Sequence, residues 1–429
     1  MTGPRMTGPL TSGPLTSATG PGIIVVGASL AGVRAARALR ERGYGGRLTL
    51  VGDERHPPYD RPPLSKEFLT GPADAERFGL PLDGLEADWV LGRAAERLDP
   101  RRLVVALDDG TEMPCEGLVI ATGSRARPWV ADAPRRGVHT LRGLDDARAL
   151  GAALAGGGPL LIAGAGFVGT EIAAAARAAD VPVTLVDKAA RPWIGRFGAE
   201  AAAFVERLHR DAGVDLRCGT RVEALTGDGD GDDRVTGAEL SDGTSVAAGT
   251  VVVALGAVPS TGWLAGSGLA LDQGVRVDAY CRALRTDGTH VPGIVAAGDV
   301  ARWPHPWVPG RGLTLGHWSN AVEQAEVAAR TLLFPQEPTA YRPVPSFWSD
   351  QYGVKFRSVG LPELADTVEV REQSTERRRL DLAYYRDGAL VGALTANRAA
   401  RTASYQAQLA AALALAPDGP LPGRQAATS

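Results

Sequence analysis

Uninterrupted aliphatic runs, each followed by a glycine and then by an alanine-rich stretch, recur along this 429-residue chain. Ile23-Ile24-Val25-Val26 leads into Gly27, and Leu160-Leu161-Ile162-Ala163 leads into Gly164. A run that is apolar at every position reads as a strand buried on both faces, as in a parallel sheet, and the alanine-rich stretches read as covering helices. Similar runs occur at Leu48-Thr49-Leu50-Val51, Leu118-Val119-Ile120-Ala121, Val183-Thr184-Leu185-Val186, Val251-Val252-Val253-Ala254 and Ile294-Val295-Ala296-Ala297. From about residue 331 the pattern changes to alternating strand-like segments, such as 379–385 and 390–394, and predicts a separate α+β unit. The fold class expected is α/β, with two Rossmann-like dinucleotide-binding domains and a C-terminal α+β domain.

The turns between the first strands and helices carry phosphate-binding fingerprints. Gly27-Ala28-Ser29-Leu30-Ala31-Gly32 and Gly164-Ala165-Gly166-Phe167-Val168-Gly169 start 137 residues apart. In this motif the first glycine makes the strand-to-helix turn, the second lets backbone amides approach a pyrophosphate, and the last allows the helix to pack on the strand. The second copy is complete, whereas the first has Ser29 at the middle position. About 20 residues further on, the motif expects a strand ending in an acid that bonds a ribose, and Asp53 and Asp187 stand there. One chain is thus expected to hold two dinucleotides. An acid at Asp187 repels a 2′-phosphate, so the second site is expected to take NAD(H) in preference to NADP(H), although Lys188 and Arg191 follow closely.

Composition removes several function classes. A net charge of −3 provides no global basic field for nucleic acid. No apolar stretch approaches the ~20 residues that span a bilayer, and residues 1–20 contain no signal-peptide core, so no membrane association and a cytoplasmic setting are expected. Those residues repeat Thr-Gly-Pro and Ser-Gly-Pro units and read as a disordered leader, and 416–429 as a flexible tail. Cys115, Cys218 and Cys281 form no Cys-x-x-Cys pair, which disfavours disulfide reduction and iron–sulfur binding. The six histidines, His305 and His317 among them, lack metal-ligand spacing and are expected in structural or surface roles. Asp228, Asp230, Asp232, Val235 and Glu239 fit calcium-loop positions, yet Asp233 stands where the loop needs glycine and both flanks read as strands, so an acidic hairpin turn is expected and no metal. The Arg377-Arg378-Arg379 run reads as a solvated strand face.

Taken together, the Gly27 fingerprint, Pro57-Pro58-Tyr59-Asp60-Arg61-Pro62-Pro63-Leu64-Ser65-Lys66, Ala121-Thr122-Gly123, the Gly164 fingerprint, Gly298-Asp299 and Phe347-Trp348-Ser349-Asp350-Gln351-Tyr352 resemble the FAD-dependent ferredoxin reductases of the putidaredoxin reductase type. The resemblance spans about residues 22–415. It implies an FAD domain of two stretches, 21–130 and 255–330, an NAD domain at 131–254, and a reductase domain at 331–415. Gly27, Ser29, Leu30, Ala31, Gly32, Asp53, Glu54, Arg61, Ala95, Arg142, Ala121, Thr122, Gly123, Gly298 and Asp299 would then serve FAD, with Trp318 and Trp348 bordering its ring. Gly164, Gly166, Phe167, Val168, Gly169, Asp187 and Gly256 would serve NADH. Lys66 and Glu171 would form a catalytic charge pair near the flavin N5. Asp299 also has the placement of a helix N-cap, and Trp303 and Trp307 that of core packing.

The activity implied is transfer of electrons from NADH through FAD to a small iron–sulfur ferredoxin serving a cytochrome P450 or a ring-hydroxylating oxygenase. Rubredoxin reductases and NADH oxidases share most of these motifs, and a flavin- and NADH-dependent binding protein is the non-enzymatic alternative. Because such ferredoxins tend to be acidic, Arg302, Arg311 and Arg357 are expected on a basic docking rim. Ser260 departs from the family, standing where relatives usually carry asparagine.

Overall fold

The computed structural model describes residues 21–71, 74–129, 134, 136–229 and 233–415; the expected leader and tail, with Asp230 and Asp232, lie outside them. The first sheet has six strands in the order Arg282–Leu284, His290–Ala296, Gly117–Ile120, Ile23–Val26, Leu48–Gly52 and Asp88–Leu91. All neighbours run parallel except the outermost pair, 282–284 with 290–296. The chain leaves this sheet at Ile120 and returns far later to the same edge, where Ile294 pairs with Leu118. The aliphatic runs are its buried centre, which is why they show no alternation. Helices Leu30–Glu41 and Trp318–Leu333 pack on each other beside it. Many of their buried positions are small, Ala31, Gly32, Ala35 and Ala36 on one and Ala321, Ala325, Ala328 and Ala329 on the other, and this lets the two backbones approach closely.

The intervening segment builds a second sheet, wholly parallel, in the order Asp215–Cys218, Val183–Asp187, Leu160–Ala163, Thr250–Val253 and Val138–His139. Both fingerprints therefore sit at the carboxyl ends of central strands, where open α/β sheets bind ligands. Strands Val222–Gly227 and Val235–Leu240 pair antiparallel beside this sheet, and the Asp228 carboxylate accepts from the Arg234 amide at 3.0 Å.

The last unit is an antiparallel sheet ordered Ser346–Gln351, Val354–Gly360, Ala389–Ala396, Arg379–Arg386 and Thr367–Ser374. Along its fourth strand Leu380, Leu382 and Tyr384 face one apolar cluster while Ala383 and Tyr385 face another. The second cluster is closed by Tyr405, Leu409 and Leu413 of helix Ala399–Leu415 and by Trp307. The first is closed by Trp193, Phe197 and Phe204, at and within helix Ile194–Asp211 of the segment that carries the second sheet. Trp193 and Phe356 meet edge to face at 5.0 Å, and the Tyr384 hydroxyl donates to the Phe197 carbonyl at 2.7 Å. Trp303 and Trp307 are core residues. The 377–379 arginines are only partly a solvated face, since Arg378 donates to the Tyr352 carbonyl at 2.6 Å and Arg379 lies 3.8 Å from Glu372.

Phe356 is fully buried in the seam between helix 194–211 and the last sheet. Phe356→Ala should cost about 3–5 kcal/mol, read as a lower urea-unfolding midpoint.

Candidate functional site

A cavity of about 610 Å³ runs from the first fingerprint to the last sheet. At one end lie Gly27, Ser29, Leu30 and Ala31 with Asp53, Glu54 and Ala95; along it lie Ala121, Thr122, Gly123, Arg61, Arg142 and Asp299; at the far end lie Lys66, Glu171, Phe167, Val168, Trp318 and Trp348. Gly32 and Gly298 support it from behind. A Cβ on Gly32 would stand 1.8 Å from the Gly27 carbonyl oxygen, and one on Gly298 would stand 2.9 Å from the Ala31 Cβ.

Ser29 fits the fingerprint because its backbone is extended, with φ −122°. Its counterpart Gly166 has φ −74°, and a Cβ there would meet nothing within 4 Å. The outer glycines are different: a Cβ on Gly27 would lie 2.1 Å from the Ala121 oxygen, one on Gly164 2.4 Å from the Ala254 oxygen, and one on Gly169 1.9 Å from the Gly164 oxygen. The protein itself thus demands the first and last glycines, while the middle one matters only to a ligand. Neither helix has an acid in its first turn or a side-chain cap, which leaves first-turn N–H groups available to an anion.

Several charges along the cavity are paired. Glu54 takes the Arg61 guanidinium on one oxygen and the Tyr59 hydroxyl on the other. Arg61 also donates to the Arg142 carbonyl at 2.7 Å and to Ser29 Oγ at 3.4 Å. Arg142 reaches the Asp299 carboxylate at 2.8 Å, and the Ser124 hydroxyl donates to it at 3.1 Å. Asp299 is therefore no N-cap: it lies inside the short turn Gly298–Val300 and binds across the cavity wall. Burial raises the Asp60 pKa despite the bond that Trp318 Nε1 donates to it at 2.9 Å. Trp318 and Trp348 meet edge to face at 6.1 Å. Ser260 donates its amide to the Gly123 carbonyl at 2.9 Å and lines the same wall.

At the far end the Lys66 ammonium lies 2.8 Å from Glu171, whose carboxylate also accepts from Ser65 at 2.5 Å and Ser349 at 2.7 Å. Lys66 donates further to the Pro62 carbonyl at 3.0 Å. Behind them the Gln351 amide donates to Ser349 and to Thr170, both at 2.9 Å, while its oxygen meets His209 Nε2 at 3.1 Å. The Tyr352 hydroxyl closes the chain on His209 Nδ1 at 2.9 Å. Sequence reasoning missed Ser65 and Ser349 as partners of Glu171, and Gln351 and His209 behind them, because no local pattern announces contacts between residues more than a hundred positions apart. It also placed His317 among structural or surface histidines, whereas the ring lines this cavity.

The second fingerprint reaches the cavity through Phe167, Val168 and Glu171; Gly164, Gly166, Gly169, Asp187 and Gly256 lie outside its lining. Asp187 accepts from the Ala165 amide at 2.6 Å and from the Ala189 amide at 2.8 Å. Arg191 is drawn away to Glu206 at 3.0 Å. Of the expected rim arginines, Arg302 is tied to Asp272 and largely buried, and Arg357 lies 2.9 Å from Asp350. Arg311 alone is exposed with no ion pair among the described residues.

Comparison with known proteins agrees with this geometry. The family model for pyridine nucleotide-disulphide oxidoreductases matches residues 21–325, and the reductase C-terminal model matches 346–419. The chain belongs to the pyridine nucleotide-disulphide oxidoreductases. Among members of this family, rhodocoxin reductase of Rhodococcus erythropolis is 35% identical over 354 residues, 81% of this chain and 80% of that protein. The ferredoxin–NAD(+) reductase component of a p-cumate 2,3-dioxygenase system of Pseudomonas putida is 38% identical over 342 residues, 79% of this chain and 81% of its own. The crystal structure of the covalent putidaredoxin reductase–putidaredoxin complex matches with a TM-score of 0.83 at 32% identity, covering 91% of this chain and 93% of that one. Within this oxidoreductase the two sheets and the C-terminal unit meet at one cavity.

Two predictions follow from the site. Gly169→Ala should destabilise the fold by more than about 2 kcal/mol in urea, whereas Gly166→Ala should stay within about 0.5 kcal/mol and weaken NADH binding measured by calorimetry. Burial holds the His209 pKa down at about 4. The unfolded chain therefore takes up a proton near pH 6.5 that the folded chain refuses, so stability falls as the pH drops from 6.5 toward 4. His209→Gln should flatten that part of the urea-midpoint-against-pH curve.

Proposed function

We propose that this protein is an FAD-dependent NADH:ferredoxin reductase, supplying electrons to a small iron–sulfur ferredoxin that serves a cytochrome P450 or ring-hydroxylating oxygenase. One observation carries the reading: residues of both fingerprint segments line a single cavity, so two dinucleotides, one on each fingerprint, would meet at the Lys66–Glu171 pair. The names of the relatives, reductases of dioxygenase and redoxin systems, support the same activity. None of the three cysteines lines the cavity, which argues against disulfide reduction there.

The residues fit FAD. Glycine at position 27 is demanded by the turn, Ser29 and the first-turn amides face where a diphosphate would lie, and the aromatic far end suits a fused ring. When bound, FAD would supply acceptance of a hydride from NADH and release of its two electrons one at a time, the proton passing to solvent. Lys66 holds a positive charge beside the position where negative charge develops, and Glu171 keeps that ammonium oriented. Phe167 and Val168 line the meeting point and would shield it from water once both dinucleotides are bound. Asp187, fixed by two backbone amides, repels a 2′-phosphate and selects NADH. We assign 21–130 with 255–330 to FAD, 131–254 to NADH and 331–415 to the reductase unit. A cytoplasmic setting, where NADH is supplied, accords with the free thiols and with the lack, among the described residues, of any helix long and apolar enough to cross a membrane.

The test is NADH-driven cytochrome c reduction with and without a [2Fe–2S] ferredoxin, with NADPH as control donor. A large ferredoxin-dependent rate with NADH, and a rate at least about tenfold lower with NADPH, is expected; equal rates with and without ferredoxin would overturn the assignment in favour of an oxidase. Arg311→Glu should slow ferredoxin reduction several-fold at low salt and leave ferricyanide reduction unchanged.

A further inference from the structure

His317 stands immediately before helix Trp318–Leu333, and its carbonyl accepts the Ala321 amide at 3.0 Å. Its ring lines the cavity and stacks on Phe347, with centroids 5.5 Å apart and planes at 29°. Phe347 in turn lies 4.3 Å from Phe167, so His317 belongs to the far end that also holds Lys66 and Glu171. Its Nδ1 is buried with no hydrogen-bond partner. Of the buried polar atoms left without a partner among the described residues, only His317 Nδ1 and Trp263 Nε1 belong to residues that line this cavity.

An unpaired buried nitrogen costs on the order of 1–3 kcal/mol; Nδ1 is closed off by protein atoms, so a bond to a ligand in the cavity falls to the other ring nitrogen, Nε2, which is not closed off and has no hydrogen-bond partner among the described residues. Burial first, and the Arg196 guanidinium second, hold the imidazole pKa down at about 3. The ring is therefore neutral, with one N–H donor and one acceptor nitrogen. The helix behind it has no acid in its first turn, so its free N–H groups add a positive partial charge.

We propose that His317 donates a hydrogen bond to an oxygen on the pyrimidine side of the bound flavin ring and thereby raises the midpoint potential of FAD in this protein. Those oxygens gain negative charge on reduction, so a donor fixed against them favours the reduced form. The inference rests on FAD occupying this cavity.

The experiment is a spectroelectrochemical titration of the FAD-loaded protein and its His317→Phe, His317→Leu and His317→Gln variants, with FAD content and circular dichroism as checks on folding. Phenylalanine keeps the stack on Phe347, and glutamine keeps a donor. The apolar variants should favour reduced over oxidised FAD about tenfold less than the parent, which lowers the two-electron midpoint by ~30 mV, while His317→Gln stays near the parent. Apolar variants at the parent's potential, or all three variants shifted alike, overturn the proposal. Should the apolar variants lose FAD, His317→Gly decides: its midpoint must rise when imidazole is added, and indifference to imidazole also overturns the proposal. A parent chain that binds no FAD defeats the functional reading instead.

Discussion

The structure turns on a carboxylate that is nearly out of water. Glu171 sits on the helix that opens at the second fingerprint, Lys66 follows the proline-rich loop of the first unit, and Ser349 lies on the first strand of the last sheet. Burying two opposite charges costs several kcal/mol per ion, and their mutual attraction offsets this only if the remaining lone pairs and protons are satisfied. Here they are, by Ser65 and Ser349 on the carboxylate and by the Pro62 carbonyl on the ammonium. Satisfying one charge pair therefore fixes three parts of the chain at one point, and the cavity takes its far wall from that point.

The aromatic seam makes the arrangement rigid. Trp193, Phe197 and Phe204 lock the segment bearing the second fingerprint against Phe356 and Tyr384, so Phe167 is held from outside the cavity by Trp193 and from within it by Phe347. The chain of Gln351, His209 and Tyr352 runs along the same seam and keeps Ser349 and Thr170 in register. Apolar packing supplies the energy, and the polar chain restricts which orientation is adopted.

Much of this was legible in the chain because it rests on local patterns. The aliphatic runs at 23–26 and 160–163 are the strands next to both fingerprints, and the alternating segment at 379–385 is a strand of the last sheet. Ser29, a departure from the motif, is harmless because the position never needed a positive φ. What escaped depends on distant contacts. Arg302 looked like a rim cation until Asp272 took it, and Asp299 looked like a cap until Arg142 reached across to it. The orphan nitrogen of His317 arises only from burial, which spacing does not reveal.

The most direct test of the central role given to the Lys66–Glu171 pair is the rate of flavin reduction by NADH in anaerobic rapid mixing, for Lys66→Met, Glu171→Gln and the double variant. A pair acting as a unit predicts that each single change slows the step by about tenfold or more and that the double variant is no slower than the worse single one. Single variants at the parent's rate, or two effects that multiply in the double variant, would contradict the account.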